Sequence, residues 1–221
     1  MTPLIISVQT VLDVDVAKHK YKLEGLTDVD VAKATFHLQK QFDNNQSPIA
    51  LQRVVLITTV QYRDNEIQVT RYTDQEGEAA LLNHFVDDLQ KNDYQLLSWA
   101  TEDRLLPLLL LRCYKHAIPT SILQDMQAHC HGISQLIMGS EQSLLTFEDA
   151  KDLLGLPQFC DNDAIDIWAC WVDGDYEKIQ LYGNNLTLSY YMLYCHYQWV
   201  SGQFSQERYQ HRLALLTVDN V

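Results

Sequence analysis

Three groups of side chains in this 221-residue sequence have the types or spacing to do chemistry. The first is His129-Cys130-His131. In an extended segment its two imidazoles would face one side and could enter a zinc site. No partner pair with ligand spacing follows, so the expectation is a loop carrying two ordinary histidines. The second is the tyrosine-rich stretch from Tyr182 to Tyr197. An aromatic face can stack bases, but at helical spacing in a long helix it reads as core packing. The third is the set of five cysteines, Cys113, Cys130, Cys160, Cys170 and Cys195. Their number is odd, no Cys-x-x-Cys pair exists, and neither Cys160 nor Cys170 sits beside an evident base. Reduced, mostly buried thiols of a cytoplasmic protein are expected.

The elements that must position these groups follow from periodicity. Thr2 to Val11 is a strand with β-branched residues on both faces, as in a central buried strand. Thr27 opens a helix with Asp30 as a capping-box-like acid. Asp43 to Pro48 is a polar loop. Arg53–Tyr62 and Glu66–Tyr72 flank Asp64-Asn65 and form a hairpin. Glu76 to Lys91 is an amphipathic helix with Ala80, Leu81, Phe85 and Leu89 on one stripe. Tyr94 to Trp99 is a short buried strand, and Asp103 to Ala117 a leucine-rich helix. Ser143 to Leu156 is a further helix, stopped by Gly155 and Pro157. Trp168, Trp171 and Val172 mark another, ended by Asp173-Gly174-Asp175, where Asp175 N-caps the next. After Tyr182-Gly183-Asn184-Asn185 a second apolar run, Leu186, Tyr190, Leu193, Tyr194, Tyr197 and Val200, marks a long helix that Gly202 ends. A last amphipathic helix runs from Ser205 to Leu216.

Composition sets bounds. At 47% apolar and 20% charged residues the chain has an ordinary globular balance, and residues 1–221 are expected to form one domain. No apolar run reaches the roughly 18 residues a membrane span needs, and Leu4 to Val8 lacks a basic leader, so no membrane association is expected. The net charge of −13 disfavours phosphodiester backbones, which are held by Lys/Arg and counterion release, so weak or no nucleic-acid binding is expected.

The block from Trp168 through Gly174-Asp175, Ile179, Tyr182, Tyr191 and Tyr194 to Gly202 and Ser205 resembles a conserved block of a known family. These are the predicted 3′–5′ exonucleases related to the exonuclease domain of family-B DNA polymerases, of the DnaQ-like, ribonuclease H-fold superfamily. Two further blocks resemble the same family. Leu23-Glu24-Gly25-Leu26-Thr27-Asp28 with Asp30 to Ala34 and Phe36-His37-Leu38 is similar to its "LEGLSDEDVAKAMFHL". Ser98-Trp99 with Leu106-Pro107-x-Leu109 is similar to its "SWNG…FDLPVL". Between Thr120 and Ser143 the likeness is poor, with Gly132 and Gln135 where acids would stand. The resemblance implies an α/β fold: a mixed sheet of the first strand, the hairpin and the Tyr94–Trp99 strand, flanked by helices.

It also implies a chemistry. Such exonucleases hold two Mg²⁺ or Mn²⁺ ions roughly 3.5–4 Å apart to activate water and stabilise the leaving oxygen. Four carboxylates supply the oxygen ligands. In this sequence those four positions carry Ser7, Gln9, Leu105 and Leu186, while the tyrosine that would orient the water is kept as Tyr182. The change in site charge from about −4 to 0 should abolish paired dication binding. The expectations are therefore no metal, no cofactor and no catalytic residue, in a degenerate member whose vestigial cleft takes an unknown protein or small ligand. The alternative is an exonuclease or nucleic-acid-binding module using a non-standard site. Asp13 and Asp15 share the strand parity of Ser7 and Gln9, but Asp13 would stand about 13–20 Å off at ~3.3 Å per residue. Glu102 and Asp103 lie near Leu105, with Asp103 expected to N-cap the leucine-rich helix.

Overall fold

The computed structural model describes residues 1–41, 48–99, 104–139, 146–155 and 165–218. In chain order, β1 (Thr2–Leu12) leads into α1 (Val14–Tyr21) and α2 (Asp28–Gln41). Then come β2 (Gln52–Arg63), β3 (Glu66–Thr73), α3 (Glu78–Leu89) and β4 (Tyr94–Ser98). Next are α4 (Leu105–Lys115), α5 (Ser121–Asp125), β5 (Cys130–Gly132), α6 (Ile133–Met138) and α7 (Phe147–Leu154). The chain continues through α8 (Ile167–Val172) and α9 (Tyr176–Val200) to α10 (Gln206–Val218).

The five strands form one sheet in the order β3-β2-β1-β4-β5. The β1/β2 and β2/β3 pairs are antiparallel, whereas β1/β4 and β4/β5 are parallel. This is the mixed α/β sheet that the resemblance implied. Asp64 and Asn65 take left-handed φ values of 54° and 64°, the geometry of a two-residue hairpin turn. Thr27 Oγ1 accepts from the Asp30 amide at 3.3 Å and donates to the Asp30 carboxylate at 2.7 Å, which fixes the start of α2.

Alternation along β1 divides the core between the two faces. Leu4 and Ile6 join Leu81, Phe85 and Leu89 of α3 and Leu109 of α4. Ile5 faces the other way and joins Leu188, Met192 and Cys195 of α9 and Leu216 of α10. The sheet is therefore covered on both sides, which is why β1 is apolar on both parities.

Several expectations need correction. The chain does not stay extended to Asp15: Asp13 N-caps α1, its carboxylate accepting from the Val16 amide at 3.2 Å, so Asp15 is helical and exposed. Cys130-His131 is not loop but the edge strand β5, pairing with β4. The apolar runs before and after Gly183 belong to one continuous helix, and at its end Val200 is 70% exposed rather than core. The polar loop 43–47, Glu102, Asp103, Pro157 and Cys160 lie outside the described residues. No helix among the described residues is long and apolar enough to cross a membrane.

Candidate functional site

The middle of β1 carries the first of the four positions. Ser7 is 3% exposed, and its odd parity turns it toward α9. The register with β2 shifts between Gln9 and Thr10, where Gln9 pairs with Leu56 and Thr10 with Val54, so that Val55 of β2 is the extra residue of the irregularity. From the other side α9 crosses the sheet at Gly183. A Cβ there would stand 2.5 Å from Leu56 Cδ2, 2.8 Å from Thr58 Oγ1 and 3.3 Å from Gln9 Oε1. Only glycine lets the helix backbone lie this close to the strands.

That close approach allows a short chain of hydrogen bonds. Thr187 Oγ1 donates to the Gly183 carbonyl at 2.6 Å, and Ser7 Oγ lies 2.7 Å from Thr187 Oγ1. With the Thr187 hydrogen so used, Ser7 is the donor of the second bond. Ser7 Oγ also reaches the Gly183 carbonyl at 3.4 Å. The hydroxyls thus tie β1 to α9 through neutral groups. Beside them, Gln9 Oε1 and Thr58 Oγ1 are buried without a hydrogen-bond partner.

Ser7, Leu105 and Leu186 line one cleft of about 290 Å³, together with Val8, Ser98, Arg104 and Tyr190. Gln9 and Tyr182 are not among its lining residues. Gln9, 5% exposed, lies under Gly183, and Tyr182 is half-buried one turn before Leu186. The described lining holds no carboxylate, and its one charged side chain is Arg104. Burial pushes the Tyr190 phenol well above its ordinary value. Of the two leucines, Leu105 is 8% exposed at the start of α4 and Leu186 is half-buried on α9.

Asp13, the nearest described acid along β1, is committed elsewhere. Its Oδ2 is 2.6 Å from Arg112 Nη2 and is also bonded by Lys115 Nζ. Arg112, 2% exposed, donates from Nε to Glu78 Oε1 at 2.7 Å and from Nη2 to Glu78 Oε2. Glu78 further accepts from the Val54 amide at 2.7 Å and lies 2.7 Å from His116 Nε2. Burial alone would raise both acids, but the bonds from Lys115 and Arg112 hold Asp13 below its ordinary value, and those from Arg112 and His116 do the same for Glu78.

Among the described residues, no group of three or more His, Cys, Asp or Glu is arranged to hold a metal ion. His129 and His131 flank a buried Cys130 at the sheet edge. Burial lifts the thiols of Cys113 to about 11 and Cys195 to about 12, so neither is a ready nucleophile.

Gly183, Thr187 and Thr58 escaped the sequence reading. Gly183 was legible as a break in the apolar pattern, but its role depends on strands more than a hundred residues upstream. A helical threonine gives no signal of a bond to a serine 180 residues away.

A central sheet with three antiparallel-linked strands, two further parallel ones and helices on both faces is a ribonuclease H-like α/β architecture. Within that class the chain belongs to the family of predicted 3′-5′ exonucleases related to the exonuclease domain of PolB, whose model matches residues 44–218. The matched span begins after β1, α1 and α2, so it includes Leu105, Tyr182 and Leu186 but not Ser7 or Gln9. No curated protein matches the chain.

Proposed function

We infer that this PolB-like exonuclease-family protein does not run two-metal hydrolysis, and that its former substrate cleft serves a non-catalytic binding or assembly role. The observation that carries this is the donor set of the cleft. Ser7 is turned inward onto Thr187 and Gly183, Leu105 and Leu186 present aliphatic carbon, and Arg104 brings positive charge. Paired Mg²⁺ or Mn²⁺ requires several anionic oxygens, so these residues do not fit the ions the family uses. Aliphatic groups are also the stable substitutes for acids that have lost their cation, because uncompensated carboxylates in a partly dry cleft repel one another. Two cores sharing one sheet support reading residues 1–221 as a single domain.

The test is direct. Calorimetry with Mn²⁺ and an assay with a 3′-labelled oligonucleotide are expected to show neither binding nor shortening by the purified protein. Cleavage above a mock-purified control would overturn the proposal and favour a non-standard catalytic site. The fourfold change Ser7→Asp, Gln9→Glu, Leu105→Asp and Leu186→Asp is expected to lower metal-free stability and to restore Mn²⁺ binding.

A further inference from the structure

The largest cavity among those described is not the cleft but a groove beside it. It has a volume of about 650 Å³ and shares Thr10 and Gln52 with the cleft. Its size falls within the range of small-molecule sites, roughly 300–1,000 Å³. The end of β1, through Val11 and Leu12, supplies an apolar base. One side is α2, where Val29, Ala32, Lys33 and Phe36 recur at helical spacing, and the other is α8 with Trp168. Val29 and Phe36 are 47% and 55% exposed, so this stripe of α2 is not used by the core. Phe36 and Trp168 give the groove an aromatic ring from each flanking helix.

Two polar features narrow the ligand. Thr35 lines the groove at 2% exposure, and its Oγ1 has no hydrogen-bond partner. A buried hydroxyl in that state is destabilising unless a partner arrives. The charged residues of the described lining are Lys33 and Asp166, one of each sign, so the groove has no net preference for an anion or a cation.

The geometry points to a binding site for an uncharged, planar, bicyclic-sized aromatic molecule bearing one hydrogen-bonding group, with its rings between Phe36 and Trp168 and its polar group on Thr35. The site is separate from the proposal about the cleft, since α2 and Thr35 take no part in the cleft lining.

2-Naphthol and naphthalene are suitable probes, because they differ by the one hydroxyl. In equilibrium dialysis the protein is expected to bind 2-naphthol saturably at one site. Naphthalene is expected to bind about fivefold more weakly, the usual worth of a hydrogen bond. Thr35→Val should erase that difference by weakening 2-naphthol alone. Phe36→Ala, at an exposed position, should weaken both probes, and Ala32→Trp should fill the groove and abolish both while the thermal midpoint is retained. Non-saturable uptake, or binding indifferent to Phe36→Ala and Ala32→Trp, would overturn the site. An unchanged preference for 2-naphthol in Thr35→Val, or tighter binding of adenosine monophosphate than of 2-naphthol, would overturn the ligand class.

Discussion

The two faces of the sheet treat buried polar groups in opposite ways. On the α3/α4 face, Asp13 and Glu78 keep their carboxylates at 3% exposure because Arg112 bridges them, with Lys115 and His116 closing the outer side. On the α9 face, at the same central strand, the corresponding depth holds Ser7, Gln9, Thr58 and Thr187, all neutral. An acid can stay buried where its counter-charge is covalently part of the chain. Where the counter-charge would have to be drawn from solution as a metal ion, losing the ion leaves repulsion and desolvation with nothing to offset them. Neutral hydroxyls and leucine side chains are then the stable filling. The contrast gives a physical reason for the composition of the cleft, independent of ancestry.

Removing the resident cation should have the largest effect. Arg112→Leu leaves Asp13 and Glu78 buried with the more exposed Lys115 and His116 as their remaining side-chain partners, besides the Val16 and Val54 amides. Breaking such a buried network is expected to cost about 3–5 kcal/mol in urea unfolding. A loss below about 1 kcal/mol would mean that the arginine is packing rather than compensating charge. The pH dependence supplies a second reading. Asp13 and Glu78 have depressed values in the folded state, so their stabilisation is present above their ordinary values of 3.8 and 4.5 and is lost as pH falls through the lower folded ones. The wild-type advantage over Arg112→Leu should therefore shrink in that acid range. Asp74, which burial raises despite Trp171 and Arg53, runs the other way, but it is common to both proteins and cancels in the difference.

Placing an acid on the neutral face should shift its pKa upward, where those of Asp13 and Glu78 are lowered. Ser7→Asp buries a carboxylate next to the Gly183 carbonyl, where the hydrogen-bond partners of Ser7 are the neutral Thr187 and Gly183. Its folded value should be raised, and the variant should lose about 2–3 kcal/mol at neutral pH. A raised group contributes its stability below its unfolded value, about 3.9, and loses it as pH rises through the folded one. The deficit relative to wild type should thus open with rising pH, in the same direction as the Arg112→Leu deficit, because both variants leave a buried carboxylate without its counter-charge. A Ser7→Asp deficit that stays flat or closes with rising pH would show that the new acid finds a counter-charge on this face, and would remove the distinction between the faces.

Most of the scaffold of this comparison was legible in the sequence. The Asp64-Asn65 turn between alternating runs fixed the hairpin, two-sided β-branching marked β1 as central, and the leucine-rich segment announced α4. Helix α1 was missed because Asp13 and Asp15 suit either an extended or a capping role, and the choice depends on Arg112 and Lys115 a hundred residues on. Strand β5 was missed because three residues carry no periodicity, and β4 supplies its order. The convergence of Ser7, Leu105 and Leu186 followed from aligned motifs, whereas Gln9's place beneath Gly183 follows from a helix crossing that no local pattern encodes.

A smaller effect is expected where α9 meets the strands. In Gly183→Ala the new methyl would meet Leu56 Cδ2 at 2.5 Å and Thr58 Oγ1 at 2.8 Å, so these side chains must turn aside or the helix must lift from β2. Overpacking of this kind costs about 1–3 kcal/mol. Adding Leu56→Ala should recover part of the loss by opening space on one side. If Gly183→Ala alone is neutral, α9 has room to lift away, and the hydroxyl chain beneath it is not held by the crossing.

The smallest expected effect tests that hydroxyl chain itself. Ser7→Ala removes the donor to Thr187 while Thr187 keeps its bond to the Gly183 carbonyl, so the cost should be about 1 kcal/mol, that of one neutral hydrogen bond. Thr187→Val preserves shape but removes both bonds, leaving Ser7 with the longer contact to the Gly183 carbonyl at 3.4 Å. Because the two side chains touch, the double variant should cost less than the sum of the singles, with a coupling of about 0.5–1 kcal/mol. Strict additivity in urea unfolding would show that Ser7 and Thr187 are merely adjacent. In that case the serine would be free to turn toward the cleft, and the argument that it is turned away from a metal would fail with it. A clear coupling would instead make the β1–α9 tie a structural replacement for the charge-neutralising role that Arg112 fills on the opposite face.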